Sequence, residues 1–154
     1  MKKIAIREDI CMGCGLCRVH CLTAHSCSGD IIKAWKREKP RALPRIRVER
    51  RGEVSFSVQC RHCEEPWCVY ACLSGALHKD PLTGVVILDS QKCSGCWTCV
   101  LACPHNAIIM DTDHRIAAKC DLCIGREVPA CVANCPNEAL YLVECGNSKK
   151  IDLT

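Results

Sequence analysis

Apolar residues in this chain occur in short runs that alternate with polar residues or stop at glycine, proline and aspartate, which is typical of short β-strands. The predicted strands are Lys3–Arg7, Arg45–Glu49, Val54–Val58, Ala76–Leu77, Val85–Leu88, Ala107–Met110, Ile116–Ala118 and Ala139–Val143. Turn residues at Arg51-Gly52, Asp80–Gly84 and Asp111–Asp113 join six of them in pairs. The pattern predicts three hairpins, with one further strand towards each end of the sequence.

No apolar run approaches the roughly 18 residues that a membrane-spanning helix needs. The first segment, Met1–Asp9, becomes charged before any signal region develops. We therefore expect a cytoplasmic protein with no direct membrane insertion. At 154 residues the chain suits one compact domain or two small ones that share it.

The cysteine content changes this picture of a small β-rich protein. The chain has 18 cysteines, whereas aromatic residues make up only 4% of it. Such a sequence builds a thin apolar core, so disulfides or bound metal must hold the fold together. Because cytoplasmic thiols stay reduced, metal ligation is favoured over disulfides.

Sixteen cysteines form four quartets on one plan, in which the first two are three residues apart and the last two are four apart. The quartets are Cys11, Cys14, Cys17 and Cys21; Cys60, Cys63, Cys68 and Cys72; Cys93, Cys96, Cys99 and Cys103; and Cys120, Cys123, Cys131 and Cys135. The four-residue step puts the last two thiols on one face of a short helix. The third quartet, followed by Pro104, has the spacing of bacterial 4Fe-4S ferredoxins, in which the fourth cysteine binds the neighbouring cluster.

Four quartets on one plan are an internal repeat, which predicts four 4Fe-4S clusters. Two other chemistries fit less well. Zinc ribbons leave no use for the third cysteine of each loop or for the helical pair. A cysteine nucleophile needs a Cys–His pair apart from the quartets, and none stands out. We expect no catalytic site in the chain itself.

Two cysteines lie outside the quartets. Leu22 rather than proline follows Cys21, so Cys27 remains an alternative to Cys21 as a ligand. Cys145 has no partner in the pattern and is expected to be a reduced thiol.

Three large side chains, His62, Trp67 and Trp97, lie inside the cysteine loops. The tryptophans either exclude water from a cluster or contact a redox partner. His62 is expected beside a cluster or exposed, because its quartet is complete without it. The other five histidines form no spaced metal set, and we assign them no role.

Between Lys33 and Arg51, nine basic residues are opposed by only two acidic ones. Pro40 and Pro44 predict a loop in the first half and a hairpin in the second. Three interpretations stay open: a solvated hairpin that offsets cluster charge, docking to an acidic partner surface, and nucleic-acid binding. The last is least favoured, since stacking aromatics are missing. The formal net charge of +4 does not favour nucleic-acid binding either, because cluster binding brings the net charge to about −4.

The spacing between quartets indicates how they combine. The second and third are 20 residues apart and the third and fourth 16, but the first and second are 38 apart. The long gap favours a nested order in which the first and last quartets close around the middle pair, and the two terminal strands pair. We predict an α+β fold with two ferredoxin-like dicluster units: an outer unit of residues 1–30 plus 105–154, an inner unit of residues 53–104, and a basic insertion of residues 31–52.

The four quartets, with the motifs Lys119–Cys123, Pro129–Val132 and Asn134–Pro136, resemble the four-cluster ferredoxin-type electron-transfer subunits of anaerobic oxidoreductases. That family includes the iron-sulfur subunits of dimethyl-sulfoxide reductase, formate dehydrogenase and hydrogenase complexes, and the iron-sulfur protein that accompanies CO dehydrogenase. The resemblance spans residues 3–143 and is specific for cluster content rather than for the partner.

The resemblance implies that each quartet gives its fourth cysteine to another cluster. The implied ligand sets are Cys11, Cys14, Cys17 and Cys135; Cys120, Cys123, Cys131 and Cys21; Cys60, Cys63, Cys68 and Cys103; and Cys93, Cys96, Cys99 and Cys72. Nitrate-reductase relatives have tryptophan at one ligand position of the third quartet and hold a 3Fe-4S cluster there. Cys99 is present here, so four 4Fe-4S clusters are expected.

The resemblance also implies a function: a polyferredoxin subunit that relays single electrons between a catalytic oxidoreductase and a second redox partner, either an electron carrier or a flavin or hydrogenase protein. The sequence lacks the longer C-terminal tail of many membrane-anchored relatives. Among soluble complexes CO dehydrogenase is favoured as the catalytic partner, with hydrogenase, formate and aldehyde oxidoreductases as alternatives. An alternative of another class is a structural or regulatory metal-binding module that docks through the basic hairpin.

Overall fold

The structure, a computed structural model, describes residues 2–144 and the backbone of residues 147–150. The α+β class with short strands and short helices is confirmed. The elements in chain order are β1 (Lys2–Ile6), α1 (Leu16–Ala24), α2 (Ile31–Lys36), β2 (Ile46–Arg51), β3 (Val54–Gln59), α3 (Trp67–Tyr70), β4 (Leu77–Lys79), β5 (Val86–Leu88), α4 (Thr98–Ala102), β6 (Ile108–Asp111), β7 (Ile116–Lys119), α5 (Ala130–Ala133), β8 (Leu140–Glu144) and β9 (Asn147–Lys150).

The strands pair as the hydrophobic pattern predicts. Three antiparallel hairpins, β2–β3, β4–β5 and β6–β7, stand between the cysteine loops. The terminal strands β1 and β8 also pair antiparallel, with Ile4 opposite Leu142, which confirms the predicted pairing. The strand β9, which the pattern did not predict, joins the other edge of β8. Cys145, predicted to be a reduced thiol, lies outside the described residues.

The helix α2 lies in a stretch where the prolines had predicted only a loop, and that expectation is wrong for residues 31–36. Asp30 caps the helix, since its carboxylate accepts a hydrogen bond from the Lys33 N–H at 2.8 Å. Ala34 is fully buried on its inner face. The lysines of this stretch suggested a solvated segment, but the cap and the apolar residues between them are sufficient to form a helix against α1.

Two groups of buried apolar side chains support the fold. The first, which we call the outer core, joins β1, β8, α1 and the base of β2 through Ile4, Ile46 and Leu142. The second, the inner core, contains Leu77 of β4 and Ala117 of β7, together with neighbouring residues of β5 and β6. The hairpin β6–β7 therefore packs with β4–β5, although it follows the third quartet in the chain.

The basic hairpin β2–β3 is only partly solvated. At its base Ile46 is 1% exposed, and Arg45 and Arg47 donate hydrogen bonds to Asp121 Oδ2 at 2.6 Å and the Asn106 carbonyl at 2.5 Å. At the tip, Arg50 and Arg51 are exposed. The interpretation of a solvated basic hairpin therefore holds for the tip alone, because the arginines at the base contact the protein itself.

Candidate functional site

The four Cys-x-x-Cys loops share one backbone conformation. The residue before the second cysteine has a positive φ in every loop: 69° at Gly13, 46° at His62, 67° at Gly95 and 59° at Leu122. Such left-handed residues turn successive N–H groups into a concave nest that favours negative charge. Glycine occupies this position in only two loops, so the sequence revealed only half of this repeat.

In the two glycine-containing loops the backbone passes close to a neighbour. A Cβ on Gly95 would lie well inside van der Waals contact with the Arg115 carbonyl oxygen, and a Cβ on Gly13 would lie 2.7 Å from Ser55 Oγ. Glycine is therefore required at Gly95 by both the φ angle and the space.

Every cysteine in the described part of the chain is a free thiol. Cys11, Cys14 and Cys17 line a small cavity of about 30 Å³ together with Cys135, from the far end of the sequence. We call this group site 1. Cys93, Cys96 and Cys99 line a second small cavity, of about 10 Å³, together with Cys72. We call this group site 4.

The other eight quartet cysteines lie deeper. Burial raises the pKa of the Cys131 thiol, and the nearby thiols of Cys120, Cys21 and Cys123 raise it further, so these four cysteines form a group that we call site 2. Burial likewise raises the pKa of Cys68 to about 11, with contributions from Cys60 and Cys103. With Cys63, which acts on Cys60, they form site 3.

The electrostatic contacts between thiols of different sites give the sites an order. Cys17 of site 1 acts on Cys131 of site 2. Cys60 of site 3 acts on Cys120 of site 2, and Cys99 of site 4 acts on Cys68 of site 3. The sites therefore follow one another as 1, 2, 3 and 4.

Exposure follows the same order. Site 1 contains the exposed Cys14, and site 4 contains the exposed Cys96. The cysteines of sites 2 and 3 are all buried or partly buried. The two ends of the series reach the surface, and its middle is enclosed by protein.

Backbone N–H groups point at several of the sulfurs. Leu77 donates to Cys72 Sγ at 3.4 Å, and Ala107 donates to Cys103 Sγ at the same distance. The Cys21 sulfur accepts from the Arg45 N–H at 3.2 Å, which comes from the chain just before β2. These donors favour the deprotonated sulfur, since hydrogen bonds to a charged group stabilise that group.

A polar cluster of His25, Asp121 and Arg45 lies next to Cys21. His25 lies with Nδ1 2.8 Å from the Cys21 carbonyl oxygen and Nε2 3.1 Å from Asp121 Oδ1, and Arg45 binds the other carboxylate oxygen. Burial works against the charge of Asp121, but His25 and Arg45 hold the pKa of its carboxyl below the usual range. Sequence reasoning assigned His25 no role, because its partner Asp121 is 96 residues away.

Cys27, the alternative to Cys21, lies apart from the sites. It is exposed in the loop before α2, and its N–H donates to Oε2 of Glu38, just after that helix, at 3.2 Å. Cys21 raises the pKa of each of the other three thiols of site 2.

The large side chains of the loops divide between the two interpretations. Trp97 lines the cavity of site 4, where it can exclude water. Trp67 is 59% exposed and makes an edge-to-face contact with Tyr70, with ring centroids 6.0 Å apart. His62 is fully buried.

The donor set fits iron-sulfur clusters. Grouped soft thiols, N–H groups directed at sulfur, and a buried histidine nitrogen without an acceptor among the described residues all suit an anionic, sulfur-rich group. Among the residues that the structure describes, no helix is both long and apolar enough to cross a membrane.

Comparison with known families decides the classification. The sequence of residues 53–145, which holds the second, third and fourth quartets, matches the family described as 4Fe-4S dicluster domain. The chain belongs to this 4Fe-4S dicluster family. The family supports bound 4Fe-4S clusters in this chain, although the match leaves the first quartet outside.

The relatives of this chain include proteins of similar length. The chain is 34% identical to an "Iron-sulfur protein" of Rhodospirillum rubrum, over 92% of this chain and 81% of the relative. It is 35% identical to "Electron transport protein HydN" of Escherichia coli K12, over 87% of this chain and 83% of that protein. The "NADH-dependent phenylglyoxylate dehydrogenase subunit beta" of Aromatoleum evansii is 36% identical, but the chain spans only 30% of it.

Among solved structures, a similar chain occurs in the complex titled "Active site complex BamBC of Benzoyl Coenzyme A reductase in complex with 1,5 Dienoyl-CoA". The alignment has a TM-score of 0.53 at 23% identity and covers 99% of this chain and 81% of the other. This likeness concerns the fold alone.

Proposed function

We propose that this protein is the electron-transfer subunit of an oxidoreductase complex and that it relays single electrons through four 4Fe-4S clusters. The observation that carries the proposal is the order of the four thiol groups, with one exposed cysteine at each end of the series. Such a series suits entry of an electron at one surface and exit at another.

The proposed ligands are the members of the four sites. They are Cys11, Cys14, Cys17 and Cys135 for site 1; Cys120, Cys123, Cys131 and Cys21 for site 2; Cys60, Cys63, Cys68 and Cys103 for site 3; and Cys93, Cys96, Cys99 and Cys72 for site 4. The shared cavities support the first and last sets, and the thiol electrostatics support the middle two. Cys21 rather than Cys27 completes site 2.

A bound 4Fe-4S cluster supplies reversible one-electron chemistry. The protein's own groups do the rest. The thiols hold each site in place, the N–H groups of Leu77, Ala107 and Arg45 stabilise charge on sulfur, and the two cores exclude water. Because no substrate bond has to change in this role, the chain needs no catalytic centre of its own.

We propose two dicluster units in this chain, with sites 1 and 2 in the outer unit and sites 3 and 4 in the inner one. The predicted divisions were residues 1–30 plus 105–154, 53–104 and 31–52. The packing of β6–β7 in the inner core supports an inner unit that also takes up residues 108–119. The base of the basic hairpin packs in the outer core and supports that unit.

The proposed partners are a catalytic redox protein and a second electron carrier. CO dehydrogenase is the favoured catalytic partner on the resemblance alone, with hydrogenase, formate and aldehyde oxidoreductases as alternatives. The names of the relatives, an electron transport protein and a dehydrogenase subunit, support the general class. The exposed Cys14 and Cys96 mark the two surfaces at which partners would approach.

Metal analysis of the complex, purified without oxygen from its native source, tests this proposal. Four 4Fe-4S sites require about sixteen irons per chain beyond those of the partner. Nickel with that iron supports CO dehydrogenase or hydrogenase, and molybdenum or tungsten supports the formate or aldehyde enzymes. Zinc with little iron would overturn the cluster assignment. Clusters that no physiological reductant bleaches would instead favour a structural docking module.

A further inference from the structure

A lysine and a histidine lie buried at the junction between sites 2 and 3. Lys119, the last residue of β7, is 2% exposed. Its ammonium donates to the Val86 carbonyl and, at 2.7 Å, to the Cys120 carbonyl. Among residues 2–144 no carboxylate forms an ion pair with it. A buried cation without an anion is costly, so a counter-charge is expected close by.

His62 is fully buried and contacts the backbone of the same residue, Val86. Its Nδ1 accepts a hydrogen bond from the Val86 N–H at 3.1 Å, so the proton of the neutral ring lies on Nε2. That Nε2–H has no acceptor among the described residues. Val86, in the centre of the inner core, thus orients both side chains, with its carbonyl holding Lys119 and its N–H holding His62.

Both groups lie between two thiol sites. The charge of Lys119 acts on Cys120 of site 2 and on Cys60 and Cys68 of site 3. It also acts on His62, which follows Cys60 by two residues and whose own N–H donates to the Cys60 sulfur at 3.5 Å. The unmatched cation and the unmatched donor therefore occupy the same interior region.

We propose that Lys119 and His62 form a charge-stabilising pair that raises the reduction potentials of sites 2 and 3 above the values that the same thiol sets would have without it. The proposal rests on the proposed cluster binding. Four thiolates on an oxidised core leave about two negative charges per site, and reduction adds one more. Fixed positive charge and N–H donors in a dry interior stabilise that addition, and both set cluster potentials.

The chain contains its own control for Lys119. Lys92 precedes Cys93 as Lys119 precedes Cys120, but its side chain is 66% exposed and pairs with Asp89 at 3.3 Å. Solvent and salt screen an exposed charge of this kind. Of two lysines in the same sequence position, only the buried one is placed to alter a cluster.

The test is a redox titration of the complete, cluster-loaded protein, followed by electron paramagnetic resonance. Lys119→Gln removes the charge and keeps an amide donor, and Lys119→Arg keeps the charge. In Lys119→Gln we expect two of the four midpoint potentials to fall, each by about tenfold in the reduction equilibrium, which is about 59 mV. Lys92→Gln should leave all four unchanged, and Lys119→Arg should stay close to the natural protein.

His62→Leu tests the second donor without relying on Lys119. The fourth loop has Leu122 at the equivalent left-handed position, so leucine suits the backbone there. We expect one or both of the same two potentials to fall.

The iron content of each variant separates the possible outcomes. If the natural protein lacks clusters, the proposed function fails. If Lys119→Gln keeps its iron and all four potentials are unchanged, the charge-stabilising role is overturned. If Lys119→Gln loses iron, His62→Leu decides, and unaltered potentials there reject the pair.

Discussion

The first quartet ends differently from the other three. After Cys72, Cys103 and Cys135 the chain turns at once, and the N–H of the third following residue donates to the cysteine carbonyl at 3.1 Å in each case. That third residue is left-handed, with φ of 65° at Gly75, 47° at Asn106 and 52° at Glu138. After Cys21, α1 instead continues to Ala24 and the tight turn is missing.

The difference shows two ways to place a donor beside the fourth thiol. Where the chain turns, an N–H at the start of the next strand or directly before it reaches the sulfur, from Leu77 at Cys72 and from Ala107 at Cys103. Where the helix continues, the donor is the N–H of Arg45, which arrives 24 residues later. A local turn and a long insertion therefore both supply an N–H donor to the fourth thiol. The insertion also brings the Arg45 side chain to Asp121.

Substitution of Cys21, the candidate ligand at the end of the first quartet, is expected to have the largest effect. Cys21→Ala should remove about four of about sixteen irons per chain, because one site loses a thiolate. Cys27→Ala, its matched control, should keep all of them, since Cys27 is exposed and separate. Iron and sulfide analysis after anaerobic purification measures both. The reverse result would assign the ligand to Cys27.

Removal of the Arg45 N–H, the donor to Cys21 Sγ, is expected to have the second-largest effect. Arg45→Pro eliminates the N–H that reaches Cys21 Sγ, which should cost about 2 kcal/mol, the typical value for a hydrogen bond to a charged group. Arg45→Ala keeps that N–H and loses only the partly exposed contact with Asp121, so its cost should be smaller. Anaerobic chemical denaturation, followed by cluster absorbance, gives the two values. Equal losses would show that the side chain, not the N–H, supports Cys21.

The glycines of the first and third loops provide a smaller difference. Gly13 and Gly95 have nearly equal φ, so alanine meets the same backbone cost at both. At Gly95 the added methyl meets the fixed Arg115 carbonyl, whereas at Gly13 it meets a serine side chain that can rotate. Gly95→Ala should therefore be less stable than Gly13→Ala by about 1–2 kcal/mol. The same denaturation experiment measures this gap, and equal stabilities would contradict it.

The smallest effects should have opposite signs. Glu138→Gly relieves a left-handed residue in the turn after Cys135 and should stabilise the protein by about 1 kcal/mol. Ala24→Gly, at the equivalent place after Cys21, lies in a helix and should destabilise it by about 0.5 kcal/mol. Thermal bleaching of the clusters under anaerobic conditions ranks the two variants. If both substitutions destabilise the protein, the segments that follow Cys135 and Cys21 do not differ in backbone conformation as described.

Much of the fold could be predicted because its signals are local. The hairpin β4–β5 follows from Asp80–Gly84 between two apolar runs, and the hairpin β6–β7 follows from Asp111–Asp113 in the same way. The helix α2 was missed because Pro40 and Pro44 predicted a loop for the first half of the basic stretch, whereas the helix ends at Lys36, before either proline. The strand β9 was missed for lack of an apolar pattern.

What the sequence by itself determined is the chemistry of the cysteine loops. A spacing of three or four residues fixes which thiols share a loop or a helix face, since backbone geometry over such distances leaves little choice. The nested order and the resemblance also paired the terminal strands and placed Cys135 with the first loop. What only the tertiary structure decided is which other distant groups meet: Arg45 at Cys21, and Lys119 with His62 around Val86. Contacts of this kind depend on how the two cores pack, and no local pattern carries that information. The same packing buries Lys119 and leaves Lys92 in solvent, although each directly precedes a cysteine.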